Sequence, residues 1–172
     1  MKKILVMFVV VSSIIACGGD KSKKAAKEAA IKETVNKYAM EMDAVYEKDD
    51  SLVVFYQKDN HYQYDRPISL KIKGSPVMQR LILNLPEGEP VENIKISVSN
   101  SKDQQFLTVK NITIKNGDKV VVDGDNGKHT DFFVTDEGFS WDPEKSRYIL
   151  HHDKKYPPNF VGNDNLLVQL SK

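Results

Sequence analysis

Between Tyr38 and Val122 the chain repeats one device: a short run of alternating apolar and polar residues, closed by a turn signal. Ile68, Leu70 and Ile72 alternate with Ser69, Lys71 and Lys73, and Gly74-Ser75-Pro76 ends the run. Leu81, Leu83 and Leu85 alternate until Pro86, and Glu87-Gly88-Glu89-Pro90 reads as a loop. Ile94, Ile96 and Val98 alternate before the turn residues Asn100-Ser101-Lys102-Asp103. Successive side chains of a strand point to opposite faces, so each run is a strand with one buried face. Short strands at nearly regular spacing predict a sandwich or barrel, and no long amphipathic helix intervenes to build a parallel α/β sheet. The expected fold is all-β, an antiparallel β-sandwich of jelly-roll or carbohydrate-binding-module type, over residues 38–172.

The first two runs and one later pair invite pairing predictions. Tyr38, Met40, Met42, Ala44 and Tyr46 alternate with Glu41, Asp43 and Glu47. Lys48-Asp49-Asp50-Ser51 then turns the chain into Leu52-Val53-Val54-Phe55-Tyr56, which reads as a β-hairpin. Further on, Ile112 and Ile114 precede Asn116-Gly117, and Val120 and Val122 follow. A two-residue Asn-Gly loop would set Ile114 opposite Lys119 and split the core face. A three-residue loop, Lys115-Asn116-Gly117, sets Ile112 opposite Val120, with a left-handed glycine bulge at Gly117.

The last third is less regular. Asp123 to Gly127 reads as a loop and Phe132-Phe133-Val134 as a short strand. Phe139-Ser140-Trp141-Asp142-Pro143 precedes a strand at Arg147 to His151, and Tyr156-Pro157-Pro158 demands extended or turn backbone. Leu166 to Leu170 would close a sheet as a terminal strand.

The N-terminus has a different character. Lys2 and Lys3 precede an unbroken apolar run from Ile4 to Val11, and Ile14-Ile15-Ala16 leads into Cys17, the single cysteine. That layout is a secretory signal, too short for a comfortable membrane span. Ile14 to Cys17 resembles a bacterial lipobox, which implies cleavage before Cys17 and acylation of its sulfur. Residues 1–16 are then the signal peptide and 17–37 the lipidated cysteine and its tether. Two or three acyl chains make such an anchor effectively permanent. Gly18 rather than Asp after the cysteine favours the outer membrane in a Gram-negative host. Within the tether, the Lys-, Ala- and Glu-rich stretch Asp20 to Lys37 favours helix or disorder. Ile31, Val35, Tyr38, Met42 and Val45 also follow a 4-3-4-3 spacing, so a short coiled-coil seam is the alternative.

From Tyr38 onward the order of several motifs resembles an uncharacterised all-β domain of bacterial envelope proteins. They are Phe55-Tyr56-Gln57-Lys58-Asp59, Gly74-Ser75, Leu83-Asn84-Leu85-Pro86, Ile94 to Val98, Ile112-Thr113-Ile114 and Trp141-Asp142-Pro143. That domain occurs in small lipoproteins and as an accessory module on membrane glycosyltransferase-like proteins. The Arg and Asp often found in its strand equivalent to Ile94–Val98 are missing here. The resemblance implies a sandwich shaped like a carbohydrate-binding module and assigns no activity.

Chemistry-bearing residues are few. Lys and Arg number 25 and Asp and Glu 24, a balance that gives no electrostatic case for nucleic acid. Cys17 committed to lipid excludes an internal disulfide and cysteine-based catalysis or metal binding. His151 and His152 are adjacent on a strand and so point apart, and His61 and His129 fall in separate turns. The Asp123–Gly127 loop, with Asp131, has some of a calcium loop's oxygens, but Gly127 stands where a third ligand belongs. No metal or other cofactor is expected. No nucleophile elbow, phosphate loop or zinc helix is present, so no enzyme is expected either. Aromatics remain: Tyr62, Tyr64 and Trp141 fall in or beside expected loops, where a ring would stack on a sugar face. Trp141 has a plainer role as a core or sheet-end plug. The partners expected are the bilayer, through acylated Cys17, and either a glycan or an envelope protein.

Overall fold

A computed structural model describes residues Val35–Lys172, and the expectations for residues 1–34, Cys17 included, lie outside them. The alternation at Tyr38 is strand from its first residue: β1 (Tyr38–Val45) buries every second side chain, from Tyr38 through Met40 and Met42 to Ala44. Tyr38, Met42 and Val45 therefore belong to a sheet and not to a coiled-coil seam.

Eleven further strands follow. They are β2 (Asp50–Lys58), β3 (His61–Tyr62), β4 (Ile68–Ile72), β5 (Gln79–Asn84), β6 (Asn93–Ser97) and β7 (Phe106–Asn116). The remainder are β8 (Lys119–Val122), β9 (Phe133–Thr135), β10 (Phe139–Asp142), β11 (Arg147–Leu150) and β12 (Asn159–Gly162). A 3-10 segment spans Asp125–Asp131, and one helix, α1, spans Asp164–Leu170.

The strands form two six-stranded antiparallel sheets. Sheet I runs β10-β11-β7-β1-β5, with β8 also on β7. Sheet II runs β3-β2-β6-β12-β9, with β4 also on β2. Their inner faces share one apolar core, in which Met40, Met42, Leu52, Ile94, Ile96, Ile112 and Ile114 are fully buried. This is the sandwich-like layering that the alternating runs require. Tyr46, also fully buried, donates its hydroxyl to the Val98 carbonyl at 2.7 Å; burial, with Asp50 nearby, raises its phenol well above the usual value.

Three pairing expectations are corrected. β1 and β2 are strands, but the expected turn Lys48–Ser51 is only partly one, since Asp50 and Ser51 already pair with β4, and the two strands are no hairpin. β1 pairs with β5 and β7, whereas β2 pairs with β3, β4 and β6. The turn carries the chain from one sheet to the other, because both strands offer an apolar face that the same core can bury from opposite sides.

The β7–β8 connection is the two-residue turn Gly117-Asp118, closed by Asn116 opposite Lys119. Gly117, at φ +59°, occupies the first central position, where glycine alone is unstrained. The register then shifts between Ile114 and Lys115, so Val122 comes opposite Ile114 and is buried while Val120 faces solvent. The bulge thus sits at Val121 in β8, and the expected pairing of Ile112 with Val120 does not form. A bulge inside the strand performs the register correction that a longer loop would have made.

Leu166 to Leu170 is a helix and not a closing strand. The Asn163 side chain caps it, accepting from the backbone N–H groups of Asn165 (3.0 Å) and Leu166 (3.2 Å). Leu166 and Leu170, one turn apart, are buried against the sandwich. Apolar residues at i and i+4 fit either period, and the cap decides for helix.

Candidate functional site

The chain changes sheets again between β9 and β10, and here the sandwich edge stands open. Among the described residues β9 pairs only with β12, ending sheet II, and β10 pairs only with β11, ending sheet I. The connecting corner is pinned by Asp136. Its carboxylate accepts from the Gly138 N–H (3.0 Å), the Asn159 N–H (3.0 Å) and the Asn159 side-chain amide (2.8 Å). Asn159 Oδ1 in turn accepts from the buried Ser97 hydroxyl at 2.6 Å, which ties the corner to the centre of sheet II.

A second irregularity meets this seam. On the edge of β7 away from β1, β11 pairs at Phe106 and Leu107 and β8 pairs at Ile114 to Asn116. The stretch between them has no strand partner on that side, and the 3-10 segment packs there. Gly124 brings it in: a Cβ at that position would lie 2.3 Å from the Ile112 carbonyl oxygen and 3.0 Å from His129 Cα. The expected Asp123–Gly127 loop is therefore partly 3-10 helix. Its carboxylates serve the loop itself, Asp123 accepting from Asp125 N–H (3.1 Å) and Asp125 from Asn126 N–H (2.8 Å). Among the described residues no three His, Cys, Asp or Glu side chains gather as a metal-holding group.

Between these elements lies a cavity of about 560 Å³, within the range of small-molecule sites, ~300–1,000 Å³. Val109 of β7 and Tyr148 of β11 line it from sheet I, and Phe133 to Thr135 of β9 from sheet II. Gly127, His129 and Thr130 of the 3-10 segment form a third wall. Trp141 stands among the lining residues with 52% of its surface exposed, edge-to-face on Tyr148 at 5.0 Å between ring centres. Its role as a buried plug is thereby set aside: it lies in β10, presenting an indole to solvent beside a cavity.

Tyr148 and His129 form the polar pair of the wall. The Tyr148 hydroxyl and His129 Nε2 are 3.2 Å apart, and both residues are buried. Burial holds the His129 imidazole below its ordinary value, partly opposed by Asp131, and raises the Tyr148 phenol. His129 is thus neutral at pH 7, and no lining residue carries a full charge.

The other aromatic candidates are elsewhere. Tyr62 lies in β3 and Tyr64 just beyond it, with ring centres 5.9 Å apart; Tyr64 also touches Phe55 at 5.1 Å. Lys95 Nζ stands 5.2 Å from the Tyr64 ring centre. β3 and β9 are opposite ends of sheet II, four strand spacings apart, or about 19 Å. The fold brings Tyr62 and Tyr64 together and leaves Trp141 at the far edge.

The four histidines are equally dispersed. His61 Nδ1 meets the Asp59 carbonyl (2.6 Å), and His151 Nε2 meets the Ser140 hydroxyl (2.8 Å). His152 Nε2 meets the Gln104 carbonyl (2.8 Å), while His129 belongs to the cavity wall. Val109, His129, Phe133 and Tyr148 were not legible as site residues. They are far apart in the sequence, and the alternation that marks them as core is the same for wall and interior.

No protein family, no curated protein and no solved structure matches this chain. The cavity must be interpreted on its own chemistry.

Proposed function

We propose that the β-domain is a non-catalytic binding module whose ligand site is the Trp141 cavity, and that the ligand is a glycan. The observation that carries this reading is an exposed tryptophan beside a cavity of ligand size. An indole face matches the apolar face of a sugar ring, and the partly open seam admits a chain end. The anchor proposed for Cys17 would place the module on a membrane of the cell envelope, the outer membrane in a Gram-negative host. A Cys17→Ala chain is then expected to leave the membrane fraction after salt and alkaline washing; retention there counts against the lipid anchor.

Trp141 is the sole tryptophan, so its fluorescence reports on the site directly. Titration of the full chain with a panel of envelope polysaccharides is expected to give a saturable change for at least one. A flat response from every sugar, with the fold intact, defeats the reading.

A second reading has its own observation. Among the described residues β5 pairs only with β1, and its other edge has no strand partner beside exposed Val77, Met78 and Ile82. Such an edge is a template for strand addition by an envelope protein. Stable co-purification of one partner, lost on Ile82→Lys, would favour this assembly role.

A further inference from the structure

The cavity is least suited to what a free sugar has most of, which is hydroxyl groups. Tyr148 and His129 Nε2 are already bonded to each other and the Thr130 hydroxyl donates to the Gly127 carbonyl at 3.1 Å, which leaves the buried His129 Nδ1 as the unpartnered atom of that pair. A sugar buried to the floor would lose hydration at hydroxyls for which the walls offer few partners, and buried polar groups without partners are costly. The floor is made instead of Val109, Phe133 and the Tyr148 ring, all buried, and it lies between the two sheets. No lysine or arginine lines it, so a phosphate or carboxylate would enter without a counter-charge.

We propose that the site takes the sugar–lipid junction of a neutral glycolipid, with the sugar against Trp141 at the mouth and the first methylenes of the aliphatic stem between the sheets. This rests on the glycan reading of the Trp141 cavity and adds the apolar half of the ligand. Each methylene that leaves water tightens binding by about fourfold. The stem therefore supplies affinity, and the sugar, held by one ring face, supplies selection at the mouth.

The test is a homologous series, methyl to hexyl β-glucoside below micellar concentration, titrated calorimetrically into the full chain in phospholipid nanodiscs. Hexanol and hexyl phosphate serve as comparators, and Val134→Asp nanodiscs control for partition into the bilayer. Val134 is half exposed and lines the cavity, so the aspartate charges the wall without burdening the core. Affinity is expected to climb with each methylene until the stem fills the cavity, to exceed that for hexanol and hexyl phosphate, and to lose its chain-length dependence in Val134→Asp. Saturable binding with no dependence on chain length overturns the stem and leaves the glycan reading standing. Equal affinity for hexanol and hexyl glucoside overturns the glycan reading itself. Equal affinity for hexyl phosphate overturns the requirement for a neutral ligand. Binding by none of the series overturns the junction proposal, and the polysaccharide titration then decides the glycan reading separately.

Discussion

Aromatic residues gather on one end of sheet II and, from β10 of sheet I, beside the other, and the two places have different consequences. At β3, Tyr62, Tyr64 and Phe55 lie ring to ring on the outside of a regular strand pair, with Lys95 against one face. They cover each other, and the Trp141 cavity does not reach them. At β9 the strand order runs out, the 3-10 segment stands in for a missing neighbour of β7, and space remains beside Trp141. The comparison teaches that aromatic side chains make a site where strand pairing lapses and not where it continues. Substitutions at the two ends should therefore diverge.

The largest effect is expected at the pocket end, in Gly124→Ala. The new methyl would meet backbone on two sides, at the Ile112 carbonyl and His129 Cα, neither of which can rotate away. Overpacking of this kind costs about 3 kcal/mol at its upper range. Denaturant unfolding would show it, and an unchanged midpoint would mean that the 3-10 segment is free to lift from β7. Next is Trp141→Ala, which should weaken the proposed glycan binding by about 2 kcal/mol, roughly thirtyfold, as for a central aromatic anchor. Tyr64→Ala should alter it less than about twofold by calorimetry. Equal losses at both positions would erase the distinction between the two ends.

A smaller effect separates the ends by pH. The folded-state value of His129 lies below its ordinary 6.5, so the folded protein binds fewer protons there than the unfolded chain. Its contribution to stability is complete above about pH 6.5 and is lost as pH falls from there through the depressed value. Thermal melts should record that slope in the native chain and a flatter one in His129→Gln, while Phe55→Leu, a change at the β3 end that removes no titratable group, leaves it unchanged. The smallest effect is Lys95→Ala, which removes an exposed cation–ring contact worth about 0.5 kcal/mol. A melt shifted by several degrees would show that the Tyr64 cluster matters more to the fold than its exposure suggests.

The strands were largely legible in the sequence because period-two alternation is a local signal. Met40, Leu83, Ile96 and Ile114 all face the core, as their spacing requires. Pairing was not legible. The turn at Lys48–Ser51 is compatible with a hairpin or a crossing, and only the burial of both faces against one core chooses the crossing. Val120 was misplaced because a bulge inside β8 leaves no mark in composition. Leu166 and Leu170 were misread because their spacing serves both periods, while Asn163 before them held the deciding cap. Trp141 and the Tyr62–Tyr64 pair were visible as aromatics in or beside expected loops, but which of them adjoins a cavity depends on Val109, His129, Phe133 and Tyr148. Those four meet through topology alone.

The crossing between β1 and β2 also sets a timetable. β1 finds no partner in the strand that follows it; Lys37, at its threshold, bonds to Asn116, 79 residues away. At about 5–20 residues per second, synthesis of the intervening chain takes about 4–16 s, during which β1 lacks β7 and, for the first half, β5 as well. Contacts so remote in sequence slow folding and lengthen exposure. The first strand made is secured on both edges only once β7 exists, and a nascent chain of this kind depends on whatever holds it in the interval.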